Sequence, residues 1–146
     1  MSKAVAVPFE TTLLVRDSCL CLHVQRAARA LARRFDEALR PVGLTSGQFS
    51  LMMSLNRPFP PPMKAVAELL AMDRTTLTAA LKPLERRGLV TVAVDPDDRR
   101  SRRLGLTEAG RTLLAAAVPI WERTHAAIEV PAGDADALRG SLRAIA

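Results

Sequence analysis

The sequence predicts a mainly helical fold with one small two-stranded β-sheet. Ala, Leu and Val supply most of the apolar residues, which make up 49% of the chain, whereas aromatic residues make up 3%. Over long stretches the apolar residues recur every three or four positions, as they do in amphipathic helices. Residues 89–106 differ, because two short runs containing apolar residues flank the turn sequence DPDD at residues 95–98. That arrangement indicates a β hairpin.

The size and charge of the chain limit its functional class. A chain of 146 residues is large enough for one domain with a hydrophobic core. Its net charge of +6 and isoelectric point near 10.6 favour an anionic partner, with nucleic acid ahead of a membrane. An Arg-rich composition without functional meaning is the alternative. The sequence has no basic segment followed by a long apolar run, so we expect a cytoplasmic protein without a signal peptide or a membrane-spanning helix.

Cysteine and histidine are too scarce to predict a metal centre or a disulfide framework. Cys19 and Cys21 are two residues apart, and His23 and His125 are far apart in the sequence. No zinc-ligand spacing is present, and we expect neither a metal nor another cofactor. No Ser/His/Asp or Cys/His pairing and no Gly-rich phosphate loop stand out, so the sequence does not predict an enzyme.

A long first helix is expected from residue 11 or 12 to Arg40, after an irregular arm at residues 1–10. Pro41 and Gly43 should end this helix. Its first half is apolar on two sides, and a helix with two apolar sides must be buried on both. We therefore expect this half to pack against its own domain and against a second copy of the chain. The main apolar stripe consists of Leu20, Val24, Ala27, Leu31, Phe35 and Ala38.

Two short helices should follow the first one. Thr45, with Gln48 three residues later, predicts a capping box for a helix at residues 46–55. The Pro-rich sequence at residues 56–62 predicts an extended spacer. A second short helix is expected at residues 63–71.

The next helix and the hairpin have clear boundary signals. Asp73 is a favourable N-cap for a helix at residues 73–87, and Gly88 is a favourable left-handed end. Strands are expected at residues 89–94 and 102–106.

Two further helices complete the predicted fold. One begins at residues 107–108 and ends at about Glu129. Residues 130–133 should interrupt the chain, and a last helix is expected at residues 134–145.

The two short helices joined by a tight turn form a helix-turn-helix unit, with residues 73–87 as the second helix. One side of this helix is apolar, whereas the other carries short hydroxyls and cations that can reach base edges and phosphates. An ordinary solvated helix face is the alternative. The candidate DNA-contacting residues of this helix are Arg74, Thr75, Thr76, Thr78 and Lys82.

The hairpin makes DNA binding the better interpretation. Four of the five residues from Arg99 to Arg103 are arginines, and a narrow A·T-rich minor groove attracts such side chains. One of Asp97 and Asp98, with Asp98 preferred, is expected to pair with a neighbouring arginine and to fix the shape of the hairpin. A solvated charged turn is the alternative. The candidate DNA-contacting residues of the hairpin are Arg99, Arg100 and Arg102.

These segments resemble the MarR family of bacterial transcription regulators, which are dimeric winged helix-turn-helix proteins. The family's hairpin signature, D-x-R-S followed by L-T-x-x-G, is matched by Asp98, Arg100, Ser101, Leu106, Thr107 and Gly110. The segment after the first helix resembles the family through Gly43, Leu44, Gln48 and Phe49. The resemblance extends from about Cys21 to Val130.

The resemblance implies that different segments of the chain bind DNA and form the dimer. Residues 44–106 would form the DNA-binding winged helix-turn-helix, with its second helix in the major groove and Arg100 in the minor groove. Residues 11–43 and 107–146 would supply dimerisation helices, so a homodimer would read a pseudo-palindromic operator in double-stranded DNA. The resemblance implies a ligand-responsive regulator, for which we expect a repressor. A helical interaction protein that has lost DNA binding is an alternative.

The regulatory signal has two candidate forms. The first is a small aromatic or thioester ligand in a pocket between the first helix, the second helix and the DNA-binding lobe. Candidate lining residues are His23, Phe49, Met52 and Met53, and the simpler interpretation of each is a plain core residue.

The second form is oxidation of Cys21, whose spacing to Arg29 and Phe35 resembles that of the reactive cysteine in the organic-hydroperoxide-sensing branch. That branch uses tyrosines near the thiol, and here Phe35 and Ser46 stand about where they would be expected. In one continuous helix the side chains of Cys19 and Cys21 would point roughly 200° apart. Oxidation would then require a mixed or intersubunit disulfide.

Overall fold

Helices account for most of residues 4–146, the part of the chain that this computed structural model describes. The helices are α1 (Phe9–Ser18), α2 (Leu20–Leu39), α3 (Ser46–Ser54), α4 (Met63–Leu70), α5 (Arg74–Arg86), α6 (Glu108–Ala132) and α7 (Ala135–Ile145), with a 3-10 turn at Arg40–Val42. Strands β1 (Val90–Val94) and β2 (Arg102–Leu106) form an antiparallel hairpin in which Val92 pairs with Leu104. The predicted mainly helical fold with one small sheet is confirmed.

The prediction of one long first helix was wrong. Cys19 has an extended backbone, with φ −69° and ψ 109°, and it separates α1 from α2. Asp17 and Ser18 precede the break, and their short polar side chains compete for backbone hydrogen bonds and favour helix ends. The helix also begins at Phe9, so the irregular arm is shorter than expected within the described residues; residues 1–3 of that arm lie outside them.

The hydrophobic core lies inside the lobe built from α3, α4, α5 and the hairpin. Helices α2 and α6 join this core through residues such as Leu39 and Ala117, both fully buried. The other fully buried or nearly fully buried core residues include Leu51, Met52, Val66, Leu77, Leu84 and Leu104. Because α5 and the hairpin share this core, their relative positions are set by packing.

A tight hydrogen-bonded turn ends α5 and starts the hairpin. Gly88 has φ +71°, as predicted for a left-handed helix end. Its N–H donates to the Glu85 carbonyl at 2.9 Å, and the N–H of Leu89 donates to the Leu84 carbonyl at 3.0 Å. This pair of bonds directs the chain from α5 straight into β1.

The L-T-x-x-G sequence joins the end of the hairpin to α6. The Thr107 hydroxyl donates to the Gly88 carbonyl at 2.6 Å and accepts from the Gly110 N–H at 3.0 Å, which caps α6. The Thr107 N–H donates to the carbonyl of Leu89. Gly110 lies against that same carbonyl, so the start of α6 is locked to the start of β1.

Replacing Gly110 with alanine should therefore destabilise the protein by about 1–3 kcal/mol, because the new methyl group would overlap the Leu89 carbonyl oxygen. Chemical denaturation of the two proteins measures this loss. Gly47→Ala is the matched control, since Gly47 is exposed in α3 with no atom near its added methyl group. Equal stability of Gly110→Ala and the parent would show that a methyl group fits between residue 110 and the Leu89 carbonyl.

The C-terminal part of α6 is longer than predicted. The helix continues through Pro119 and Pro131 to Ala132, whereas a break had been expected from Val130. Gly133, with φ +70°, is the residue that ends it. A proline in the last turn removes only one backbone donor, so it did not stop the helix earlier.

The terminal helices leave many apolar side chains exposed. No residue of α1 or α7 is buried. Exposed apolar residues of these helices and the start of α2 are Phe9, Leu14, Val15, Leu20, Leu138, Leu142 and Ile145. Large exposed apolar patches are a feature of protein–protein contacts, so these helices are candidates for one.

Candidate nucleic-acid interface

The N-terminus of α5 is fixed by Asp73. Its carboxylate Oδ1 accepts a hydrogen bond of 2.7 Å from the backbone N–H of Thr76. This bond, with a further contribution from the Thr76 side chain, holds the pKa of Asp73 below its ordinary value. The predicted N-cap is confirmed, and it sets the direction in which the first turn of α5 presents its side chains.

The candidate reading residues of α5 are accessible to a partner. Arg74, Thr75, Thr76, Thr78 and Lys82 are all exposed, whereas Leu77, Leu81 and Leu84 are buried in the core. The Thr78 hydroxyl donates to the Arg74 carbonyl at 2.8 Å. The same hydroxyl lies 3.9 Å from Sδ of Met63, so its single proton has acceptors within the protein and it can serve a DNA partner as an acceptor.

Asp95, which the sequence analysis did not single out, braces the base of the hairpin loop. It is only 4% exposed, and its Oδ2 lies 2.8 Å from Nε of Arg103. Its Oδ1 accepts from the Asp97 N–H at 2.9 Å. The Asp97 N–H and the positive charge of Arg103 hold the pKa of Asp95 below its ordinary value, against the effect of burial. The sequence signal for this pair was an acidic residue and an arginine at positions that a hairpin places diagonally across its two strands.

Asp98 fixes the loop in a different way from the one expected. Among the described residues, the ion pair predicted for Asp98 is not formed. The arginine of this hairpin that pairs with a carboxylate is Arg103, and its partner is Asp95. Asp98 instead accepts a 3.0 Å hydrogen bond from the backbone N–H of Arg100, and its carbonyl accepts from the Ser101 N–H. The carboxylate thus shapes the backbone of the hairpin loop rather than pairing with a guanidinium.

The three candidate arginines of the hairpin have different surroundings. Arg99 and Arg100 are exposed at the tip. Arg102 is half-buried, and its Nη1 donates to the carbonyls of Arg99 and Ser101, each at 3.2 Å. Arg102 is therefore folded against its own loop, whereas Arg99 and Arg100 project from it.

A basic cleft of about 390 Å³ separates the hairpin loop from α4 and α5. Its cationic lining residues are Lys64, Arg74, Arg100 and Arg102, and Asp98 is the acidic one. Arg74 reaches across it, with Nη2 3.3 Å from the Arg100 carbonyl. Lys64 was not predicted as a site residue, since only the fold places α4 beside the hairpin.

The Pro-rich spacer supports the hairpin from the other edge. Pro62 forms an antiparallel bridge with Arg103, and the Leu104 N–H donates to the Pro61 carbonyl at 2.9 Å. Arg103 also donates through Nη1 to the Pro60 carbonyl. The predicted extended conformation therefore has a structural use, because the spacer holds β2 in place.

The brace formed by Asp95 should make stability depend on pH. Because its folded pKa lies below the ordinary value of about 3.9, its contribution is complete above that pH and is lost as the pH falls through the folded pKa. Asp95→Asn should unfold at a lower temperature than the parent at neutral pH, and the difference should shrink as the pH falls below the ordinary value of about 3.9. Thermal unfolding at neutral pH and at a series of pH values below about 3.9 measures it. A difference that stays constant with pH would contradict the assignment.

The candidate effector residues do not line one pocket. Phe49 and Met53 line a largely apolar cavity of about 550 Å³ between α3, α4 and α6, together with Leu69, Val118 and Trp121. Met52 is fully buried in the core, and His23 lies in a separate groove on α2. The prediction that these residues share a pocket beside the first helix was therefore wrong. Trp121 stacks between Phe49 and His125, with ring centroids 6.3 Å and 4.6 Å away.

The two cysteines are both free, and Cys21 is exposed. The Gln25 amide Nε2 lies 3.2 Å from its Sγ. Because Cys19 lies in the break before α2, the two side chains are not arranged as in one continuous helix. Helical periodicity therefore does not set the distance between the two sulfur atoms.

No group of three or more potential metal ligands occurs within residues 4–146. Over the same residues, no helix combines the length and apolar character needed to cross a bilayer.

The chain is similar to proteins of known class over most of its length. Residues 44–101 match the MarR family. Over 101 residues the chain is 31% identical to the organic hydroperoxide resistance transcriptional regulator of Bacillus subtilis (strain 168), and the alignment covers 69% of each protein.

Solved structures with the same fold include two complexes with DNA. The transcriptional regulator MosR of M. tuberculosis, in complex with DNA, is 37% identical with a TM-score of 0.81, covering 88% of this chain and 93% of that one. The transcriptional repressor CouR, bound to a 23-mer DNA duplex, is 29% identical with a TM-score of 0.73, covering 90% and 92%. The predicted winged helix-turn-helix is confirmed, and the hairpin is its wing.

Proposed function

Because the chain belongs to the MarR family of transcriptional regulators, we propose that it binds a specific operator in double-stranded DNA as a homodimer and represses transcription. Its relatives are regulators rather than enzymes, which confirms the predicted class. We also propose that it acts in the cytoplasm, where the bacterial chromosome lies. The observation that carries the proposal is the exposed side of α5 beside a braced wing with two projecting arginines.

The proposed roles on DNA follow from exposure and hydrogen bonding. Helix α5 lies in the major groove, where Thr75, Thr78 and Lys82 read base edges, and Thr76 with the N-terminus of α5 faces a phosphate. Arg100 enters the minor groove, and Arg99 contacts the backbone beside it. Arg102 contributes charge and holds the loop, since its guanidinium is already bonded to two carbonyls. Asp98 and Asp95 keep the wing in shape.

We propose the division of the chain into residues 44–106 for DNA binding and residues 11–43 and 107–146 for dimerisation. The exposed apolar side chains on α1, α7 and the start of α2 support it, because a second copy would remove them from water. Such a dimer presents two α5 helices related by a two-fold axis to a pseudo-palindromic operator.

A small aromatic or thioester effector would occupy the cavity lined by Phe49, Met53 and Trp121. Its aromatic and aliphatic walls suit a planar apolar group. Since the cavity lies between α6 and the α3–α4 pair, a bound ligand can shift the DNA-binding lobe relative to the dimerisation helices. It can lower operator affinity only by its preference for the DNA-incompetent arrangement.

Thiol oxidation is a second candidate signal, favoured by the exposed Cys21 and by the similarity to the hydroperoxide resistance regulator. Peroxide should then release the parent protein from its operator, whereas Cys21→Ser should stay bound. Cys19→Ser decides whether the second thiol takes part, and non-reducing electrophoresis shows whether a bridge joins two subunits. Unchanged binding of the parent after peroxide would exclude this signal.

The DNA-binding proposal is tested by the salt dependence of duplex affinity. With 6–10 phosphate contacts, affinity should fall roughly 10³-fold or more between about 50 and 200 mM salt. Fluorescence anisotropy with a labelled operator measures this slope. Weak binding that does not respond to salt would instead favour an interaction protein that has lost DNA binding.

A further inference from the structure

Arg74 differs in its role from the other cations of the DNA-facing surface. We propose that Arg74 is a positioning residue, which sets the wing tip relative to α5 and supports DNA binding through Arg100. This inference rests on the proposed DNA-binding function. It assigns Arg74 a role other than independent base reading.

Both backbone polar groups of Arg100 have partners in the free protein. Its N–H donates to Asp98 Oδ1 at 3.0 Å, within the loop. Its carbonyl accepts from Arg74 Nη2 at 3.3 Å, which is a bond from the first turn of α5. Among the hydrogen bonds of residues 4–146, this one alone joins the loop at residues 95–101 to α5. This bond links the wing tip directly to α5, in addition to the Asp95 and Asp98 contacts that act within the hairpin.

The tip has little else to hold it against α5. Residues 96–100 are exposed, so no apolar packing orders them. Fixing a free backbone residue costs conformational entropy, and a loose tip would have to meet this cost when DNA binds. The bond from Arg74 orders the tip before binding, because a charged donor makes a stronger hydrogen bond than a neutral one.

The position of Arg74 within α5 also needs an explanation. It is the first residue of the helix, where the positive end of the helix dipole disfavours a cation. A carbonyl oxygen across the cleft offsets that disadvantage. Arg74 and Arg100 both line this cleft of about 390 Å³, so the side chain bridges a gap that packing does not fill.

A double-mutant cycle tests the proposal. Arg74→Ala alone should weaken operator binding roughly 10-fold, whereas in an Arg100→Ala background it should cost less than about 2-fold. Lys82→Ala is the matched control, since it removes one charge from the same helix and should cost the same factor in both backgrounds. Arg74→Gln keeps a donor without the charge and should fall between Arg74→Ala and the parent. An equal cost of Arg74→Ala in both backgrounds would show an independent DNA contact and overturn the proposal.

A second measurement needs no DNA. Hydrogen exchange of residues 95–101 in the free protein should speed up in Arg74→Ala and stay unchanged in Lys82→Ala, with both variants keeping the parent's unfolding temperature. Unchanged exchange in Arg74→Ala would overturn the positioning role. Failure of the parent to bind any duplex would contradict the proposed function instead, and the exchange result would still decide the role of Arg74.

Discussion

Replacing Arg100 with alanine is expected to weaken operator binding about 10- to 100-fold, since a well-placed arginine in a groove contributes about 1–3 kcal/mol. Arg100 is exposed at the wing tip, and both its N–H and its carbonyl are held in place. The order of the tip is thus present before DNA arrives. Loss of the side chain removes the contact but leaves the braces from Asp95 and Asp98 intact.

Anisotropy titrations of the Arg100→Ala protein against the same duplex measure this effect. Arg123→Ala, which removes the same charge from an exposed site on α6, should bind as the parent does. A loss below about 3-fold for Arg100→Ala would argue against the wing role. Such a loss is smaller than the least binding free energy expected from an arginine in a groove. Equal losses of affinity in Arg100→Ala and Arg123→Ala would mean that the effect comes from the change in net charge alone.

Breaking the apolar surface of the terminal helices should have an even larger effect. In the double variant Leu138→Glu and Leu142→Glu, two carboxylates would enter the proposed interface, where burying unpaired charges is costly. Sedimentation should then give a monomer of about 15.8 kDa. Operator affinity should fall by about 10²-fold or more, because two half-sites are no longer bound together.

The matched control for this variant lies on the other side of α7. Arg143→Ala lowers the net charge without touching the apolar side, so it should leave both the mass and the operator affinity close to those of the parent. A Leu138→Glu, Leu142→Glu protein that sediments like the parent would place the dimer interface elsewhere.

Local signals predicted the DNA-binding lobe well. Thr45, Asp73 and Gly88 mark element ends through hydrogen bonds to residues a few positions away, and each was found in that role. The turn sequence at residues 95–98 similarly predicted the hairpin. Such signals depend on the nearby sequence, so one chain is enough to read them.

Contacts between distant parts of the chain were not predictable in the same way. The bond between Arg74 and Arg100 joins residues 26 positions apart, and the Asp95–Arg103 pair requires the strand register. The break at Cys19 contains neither proline nor glycine, and Asp17 and Ser18 are weaker stop signals than these, so one long helix was expected. The effector pocket was misplaced because helical spacing shows that Met52 is apolar but not whether it is core or wall.

The most direct test of the central claim is selection of bound duplexes from a random pool by the full-length protein, followed by sequencing. A homodimer that reads DNA through two α5 helices and two wings should enrich one inverted repeat, with half-site centres about 34 Å or roughly 10 base pairs apart. Arg100→Ala should recover the same repeat with weaker enrichment. A pool that shows no enriched motif, or a motif without two-fold symmetry, would contradict the account.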